Sequence, residues 1–460
     1  MKKLKSFLSA VLMVSATLAA VGCGSSSKSS SYSNPMDENK KKTLTDTAKD
    51  SGMLTGELSN KTIKWISDWD INPDGTGKKT PADLALFQEI YGGNVEYIDC
   101  GSYENRYTKL TEGIASGAGY DFFYAGNMDA FPKGAESLFT ANDDYIDYDS
   151  ELWKDAKSAN DQLLWGGKHY VAVAQATGDL VCVYNRKTIQ EAGLDDPADL
   201  YKKGKWTWDA FEKMLDKFVD NDNEHYGMEG WWFEFGFMNT IGVPPVGIEK
   251  GKLKSYLDDP RMERVQNWLY DIYQKGYIAF SVGDYGWTSR PQYIGEGKLL
   301  FYPVGLYEFY KTKDQWTETY GEDVFFVPMP KDPKADAYYT PVGMEAYAFV
   351  KGGQNPEGVA KYLDCKRFCI TNDDAREVAN SIFIDDYGWT QEMVDMMNEV
   401  NKLGNEHPIF DLSKGVSEDC GEILDTSLRL TSRGTPWNET FEEINAVVNG
   451  YIDDANKSAS

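Results

Sequence analysis

Short apolar runs alternate with stretches of helical spacing through the first third of the ordered sequence. TIKWIS, residues 62–67, and NVEYID, residues 94–99, read as strands, the first stopped by the turn-rich DWDINPDGTG. A helix is expected from about Pro81. Another, from Glu104, carries Tyr107, Leu110 and Ile114 on one face, ends near Gly117 and hands over to the strand DFFYAG. Strand, helix, strand, helix, strand at this spacing predicts parallel α/β structure.

The same reading extends down the chain. Two strands are expected around Gly178, followed by a helix ending at Gly193. In WTWDAFEKMLDKFVDND, Thr207 is the expected N-cap, and Phe211, Met214, Leu215 and Phe218 form one stripe. Val265, Trp268, Leu269, Ile272 and Tyr273 repeat that stripe, which predicts core packing. KLLFYPVG, DVFFVPMP and EAYAFV read as short buried strands. Helices are expected after Pro356, around Glu392 to Leu403, Glu422 to Leu430 and Asn438 to Ile452.

The first residues follow a different logic. Lys2, Lys3 and Lys5 precede an apolar stretch from Phe7 to Val21, and Ala20, Val21 and Gly22 lead into Cys23. This resembles a bacterial lipoprotein signal, with Ala20 where Leu is usual, and implies lipid on the Cys23 thiol and a place on the extracytoplasmic face of the cell membrane. The stretch is too short and too interrupted by Ser and Thr to span a bilayer. Residues 1–22 are thus expected to be signal. Residues 23–58, rich in Ser, Lys, Asp and Thr, are expected to be a lipidated, disordered tether with a reach of roughly 30 Å.

About 400 residues then remain, more than one core packs efficiently, so two lobes are expected. The formal charge of -26 repels phosphate backbones and excludes nucleic acid as a partner. Of six cysteines, Cys23 is assigned to lipid, leaving Cys100, Cys182, Cys365, Cys369 and Cys420. An odd number argues against a disulfide framework and favours buried thiols. Cys365 and Cys369 are four apart on a helix, but with three histidines in the chain and none nearby, no metal or other cofactor is expected. DINPDG, residues 70–75, matches the first half of a calcium loop, but Pro81 stands at position 12, which favours a turn. Thirteen Trp and 29 Tyr outnumber 21 Phe two to one. Flat rings with a polar edge suit sugar rings, which are amphipathic plates themselves.

In order along the chain, YENRYTKLTEGIASGAGYDFFYAG, WGGKHYVAV with VYNRKTIQEAGL, GKWTWDAFEKMLDKF, IGEGKLLFYPVGLYEF, and VFFVPMPKDP before EAYAFVKGGQNPEGVAKYL resemble the family-1 extracellular solute-binding proteins. Those are lipid-anchored receptors of carbohydrate ABC importers, and the resemblance covers about residues 59–456. It implies two α/β lobes joined by hinge crossovers with a ligand cleft between them, a monomer, and an ABC permease as partner. Residues 59–177 with 344–372 would form the first lobe, and 178–343 with 373–456 the second. Crossovers are implied near Thr177 to Asp179, Thr340 to Gly343 and Thr371 to Ala375, with Gly178 and Gly343 as hinge residues.

Loops after strand C-termini form the crevice in such lobes. They offer Asp68, Trp69 and Asp70 after the first strand, and Asn127 and Asp129 after DFFYAG. Asp179 lies beside the first hinge, Trp231 and Trp232 follow a turn, and Glu345 sits past the second crossover. The resemblance adds Tyr307 and Trp437 as family aromatic positions. Carboxylates and amides pair with vicinal hydroxyls, and aromatic faces cover the C–H side of a sugar ring. The expected function is capture and delivery of a carbohydrate, an oligosaccharide by preference, without chemistry. Two rivals are a secreted glycoside hydrolase, which needs a buried acid with a raised pKa facing a second carboxylate, and a surface sugar sensor without transport.

Overall fold

The computed structural model describes residues 36–73, 79–178, 180–282, 285–286 and 288–458. Cys23, the signal, Asp74, Gly75 and Asp179 lie outside them.

Two sheets organise the chain. In the first, Asn94–Asp99, Thr62–Ser67 and Phe122–Tyr124 lie parallel, and Val342–Val350 runs antiparallel beside Phe122–Tyr124. Val350 and Phe349 also pair with the short strand Phe139–Thr140. Val171–Gly178 pairs along the length of Val342–Val350, from Val171 opposite Ala348 to Gly178 opposite Val342. In the second sheet the order is Val324–Pro328, Leu180–Asn185, Leu299–Gly305, Tyr226–Met228. This sheet is mixed: Leu180–Asn185 enters from the first sheet and runs antiparallel to both neighbours, while Leu299–Gly305 and Tyr226–Met228 run parallel. The ribbon of Val171–Gly178 and Val342–Val350 therefore joins the lobes.

The first lobe packs Trp65, Phe87, Phe122, Tyr362 and Phe368 into one apolar cluster between sheet and helices. A second cluster takes in the other face of that sheet, with Phe123 and Val171, and the second lobe, with Phe211, Leu269, Phe301 and Phe326. The five described cysteines are free and buried, as apolar thiols would be. Local chemistry sets the helix boundaries. Thr207 Oγ1 accepts from the Ala210 amide and opens Trp208–Phe218, and Gly117 closes Arg106–Ser116 in the left-handed conformation. The outer edge of Val171–Gly178 is covered by amide side chains. Asn160 bonds both backbone groups of Val173, Asn405 does the same for Ala176, and Asn401 accepts from Gly178. A Cβ on Gly178 would sit 2.0 Å from Val400 Cγ1, so this glycine is needed for the close approach of helix Gln391–Glu406.

Two expectations are corrected. Part of the expected tether is a helix, Glu38–Ser51, capped by Asp37 at one end and Gly52 at the other. Leu44, Thr45 and Ala48 are buried, Lys41 pairs with Glu89, and Lys40 pairs with Asp385. Its polar composition hides the fact that a narrow stripe is enough when a formed lobe supplies the other surface. Leu44→Ala should cost about 2–3 kcal/mol in denaturant unfolding, and a loss below about 0.5 kcal/mol would mean that the helix is undocked in solution.

The other correction concerns the third crossover. At Asn372 the chain only turns, ending helix Pro356–Thr371 and capping helix Asp373–Asp385 through the Ala375 amide. The second helix stays on the first lobe, with Ala375 in its core. The chain reaches the second lobe at Phe383 to Trp389, where Trp389 packs on Phe309 and Phe326.

Candidate functional site

Strand register decides which ends face each other. Thr62–Ser67 and Phe122–Tyr124 point their C-termini the way Val342–Val350 points its N-terminus, toward the hinge. Asp68, Trp69, Asp70, Asn127 and Asp129 follow those ends. In the second sheet Gly305 lies opposite Leu180, and Met228 lies parallel to Phe301. Trp231, Trp232 and Tyr307 therefore follow strand ends that also face the hinge, from the other side. The two sets of loops confront each other across the ribbon.

Each wall presents aromatic surface. Trp69 is 41% exposed, Trp231 52%, Trp232 46% and Tyr307 49%. Trp69 stands edge-on to Trp65 and Tyr124, at centroid distances of 5.2 and 6.2 Å, and its carbonyl accepts from Trp65 Nε1. Tyr124 is fixed to the ribbon by a 3.2 Å bond from its hydroxyl to the Met344 carbonyl. Trp232 opens helix Phe233–Asn239 with a left-handed backbone, φ 59°, which costs an L residue on the order of 1 kcal/mol. Gly230, two residues before, lies against the Pro303 carbonyl, where a Cβ would come within 2.1 Å.

Between the walls lies a cavity of about 280 Å³. The first lobe gives it Asn127, the hinge gives Leu180 and Val342, and the second lobe gives Trp232 and Asn239. Asp411, Lys414 and Asp425 close it. Burial pushes the pKa of Asp411 up, while Ser413 donates to its carboxylate from backbone and hydroxyl at 3.1 and 2.9 Å. Asp425 accepts from Arg429 at 2.9 Å. An aromatic plate beside amides and fixed carboxylates can stack on one face of a ring and hydrogen-bond its rim. On the opposite face of the ribbon, bordered by Gln175 and Glu345, is a separate cavity of about 910 Å³.

Residues 70–365 match the model of the bacterial extracellular solute-binding protein family. The chain belongs to that family. No curated protein matches it. Among solved structures of similar fold, a cyclo/maltodextrin-binding protein in complex with maltotetraose superimposes at a TM-score of 0.60 with 15% identity, covering 87% of this chain and 98% of that one. The extracellular solute-binding protein from Staphylococcus aureus, in complex with maltose, gives 0.57 and 15%, covering 87% and 99%. The galacto-N-biose/lacto-N-biose I-binding protein from Bifidobacterium longum, in complex with lacto-N-biose, gives 0.57 and 14%, covering 86% and 97%. These likenesses show the two-lobed fold of a solute-binding protein.

Within this solute-binding protein the expected residues divide. Trp69, Asn127, Trp231, Trp232 and Tyr307 stand at the facing strand ends. Asp68 is exposed there, and Asp70 turns inward to accept from the amide and side chain of Asn72. Asp129 is taken by its own lobe, accepting from Arg106 and the Tyr107 hydroxyl, with Arg106 lying over the Tyr103 ring. Glu345 faces the larger cavity and pairs with Lys366 at 2.7 Å. Trp437 is buried at the start of the last helix and packs on Phe441, so it is core. Position in a family pattern placed it at the site; its helical spacing to Phe441 and Ile444 was the better signal. Sequence reading missed Asn239, Asp411, Lys414 and Asp425, which lie in helices and turns with no periodic mark. Gln175 had a signal, a lone amide in the apolar strand VAVAQATG.

Two acids whose pKa is raised by burial bear on the hydrolase rival: Asp411, which lines the smaller cavity together with Asp425, and Glu229. Glu229 precedes the tryptophan pair, and burial pushes its pKa up to about 7, while its Oε1 accepts from the Arg290 amide at 2.6 Å. It is fully buried and lines neither of the two cavities. Its folded pKa lies above its unfolded one, so the folded state holds the proton more tightly, and stability falls as pH rises from about 4 through 7. Glu229→Gln should therefore stabilise the protein by on the order of 2 kcal/mol at pH 8 and change little at pH 4. Thermal melts across that range check it; equal effects at both ends would reject the buried proton.

Proposed function

We propose that this solute-binding protein is the lipid-anchored receptor of an ABC importer, capturing an oligosaccharide between its lobes and delivering it unaltered to a permease. The observation that carries the reading is the set of four half-exposed aromatic faces at the hinge-facing strand ends of both lobes. Several rings in one cleft fit several sugar units better than one. The sugar complexes of the similar structures support the ligand class. A ligand that touches both walls favours the closed arrangement by its differential affinity, and closure is the signal a permease can read.

Attachment through Cys23 gives a short leash. Met36, where the described chain begins, is thirteen positions on from Cys23, a stretch that spans at most about 45 Å. Among the described residues no helix is long and apolar enough to cross a membrane.

Thermal melts with maltose, maltotetraose and lacto-N-biose test the ligand class. A sugar at about 100 times its Kd adds about 2.7 kcal/mol, a shift of several degrees. No shift with any of a broad panel of neutral oligosaccharides, or release of shorter sugars during incubation, would overturn the reading. Cys23→Ala should move the full-length protein from the membrane fraction to the medium.

A further inference from the structure

The larger cavity is not part of the aromatic cleft. Along paired antiparallel strands, side chains alternate between faces. Gln175 and Glu345 are opposite partners, and the pair Gly178 and Val342 lies three positions on, so Val342 in the smaller cavity faces the other side of the ribbon. Nor is the larger cavity built mainly from the family-matched segment, residues 70–365. Met36, Asp37, Lys40 and the residues from Lys366 to Asn401 form much of its wall, and all lie outside that match.

Its volume, about 910 Å³, is that of a small-molecule site. Most of its charges are already matched, and Asp37 is engaged as the cap of helix Glu38–Ser51. Lys40 pairs with Asp385, Lys79 with Asp386 at 2.6 Å, Arg376 with Asp373 at 2.5 Å, and Lys366 with both Asp83 and Glu345. One ammonium between two carboxylates leaves the floor net negative, which disfavours anions. What the lining has left to offer is amides. Gln175 has no side-chain hydrogen-bond partner among the described residues. Asn398 accepts from Asn380, and Asn401 accepts from the Gly178 amide, so the Nδ2 of each remains to donate. Half-buried amides with donors and acceptors to spare match hydroxyl groups.

The lining also joins the first lobe to a helix that bonds to the hinge strand and reaches the second lobe. Asp83 and Lys366 belong to the first lobe. Asn398 and Asn401 lie on helix Gln391–Glu406, whose Met393 and Met397 pack into the cluster that includes the second lobe and whose Glu392 is clamped by Arg186 at 2.7 Å. A guest bonded to both sets changes its contacts whenever the lobe angle changes.

We propose that this cavity is a second binding site, for a small neutral polyol, and that its occupancy biases lobe closure. The proposal does not depend on the aromatic cleft being the oligosaccharide site. Isothermal titration with D-mannitol, a neutral hexitol, and separately with maltotetraose tests it on the wild type, on Gln175→Ala/Asn398→Ala, and on Trp231→Ala/Tyr307→Ala. Gln175→Glu serves as a second cavity variant that keeps the side-chain size. D-mannitol should bind the wild type and the aromatic variant alike and lose at least tenfold in affinity to both cavity variants. Its presence should also change maltotetraose affinity in the wild type but not in the cavity variants. No heat with D-mannitol, or a loss confined to the aromatic variant, overturns the second site. Unchanged maltotetraose affinity overturns the coupling. Loss of maltotetraose binding in the aromatic variant alone concerns the cleft, so the two readings fail separately.

Discussion

Trp231→Ala/Tyr307→Ala should weaken oligosaccharide binding roughly 30- to 1,000-fold while leaving the melting temperature of the free protein nearly unchanged. Each ring is half exposed in the unliganded protein, so little packing is lost on truncation. In the complex each would cover a sugar face, and a buried aromatic contact of this kind contributes about 1–2 kcal/mol. Two such losses convert to the stated range. Trp437→Ala is the informative control. It should cost stability by about 3 kcal/mol, through a cavity beside Phe441, and leave sugar affinity alone. If the double variant binds as tightly as the wild type, the aromatic cleft is not where the sugar sits. If Trp437→Ala loses affinity at temperatures where it is folded, the last helix reaches the ligand after all.

The same contrast explains what the sequence made legible. Thr62–Ser67 and Asn94–Asp99 fall where the alternation of TIKWIS and NVEYID puts them, because one register satisfies both the burial and the parallel pairing. Thr207 caps its helix because a hydroxyl before an amphipathic run is a local signal that needs no tertiary help. Helix Glu38–Ser51 had no such signal. Its stripe of Leu44, Thr45 and Ala48 is too narrow to stand out among four lysines, and it gains its burial from a lobe that lies elsewhere in the sequence. Asn372 misled for a related reason. A break between helices is local, but whether the chain changes lobe there depends on what the next helix packs against.

At the site, strand order was enough to find the loops and the aromatic residues on them. It could not separate Asp129, spent on Arg106, from Asn127, which lines the cavity, since both stand in one loop and differ only in what lies across from them. The large hinge cavity was beyond reach altogether. Its walls join residues 36–40 to residues 366–401, a contact that no periodicity encodes.

Lys366→Met should be the most destabilising single substitution in the hinge region, at about 3–5 kcal/mol. The ammonium is the shared partner of Asp83 and Glu345, and both carboxylates are otherwise held by neutral donors: the Leu84 amide at 2.8 Å and the Tyr362 hydroxyl at 3.2 Å on Asp83, the Tyr347 hydroxyl at 3.0 Å on Glu345. Burial alone would raise the pKa of Asp83, but the attraction of Lys366 outweighs it and keeps the carboxyl below its ordinary value. Burial likewise works against the Lys366 charge, and Asp83 and Glu345 reverse that, holding its pKa above the ordinary value. The signs then fix the pH window. The Asp83 contribution is present above about pH 4 and is lost as pH falls through its lower folded value; the Lys366 contribution is present below about pH 10 and is lost as pH rises through its higher one. In the methionine variant the attraction of Lys366 is gone and burial is opposed only by the Leu84 amide and the Tyr362 hydroxyl, so the Asp83 carboxyl takes up a proton more readily as pH falls. The melting-temperature gap between wild type and variant should therefore be wide at pH 7 to 8 and shrink toward pH 4. Adding Asp83→Asn and Glu345→Gln to the variant should restore much of the loss, because a neutral hydrogen-bonded pocket carries no stranded charge. A gap that stays constant across that range, or one below about 1 kcal/mol at pH 7, would mean that the three groups do not hold each other's charge.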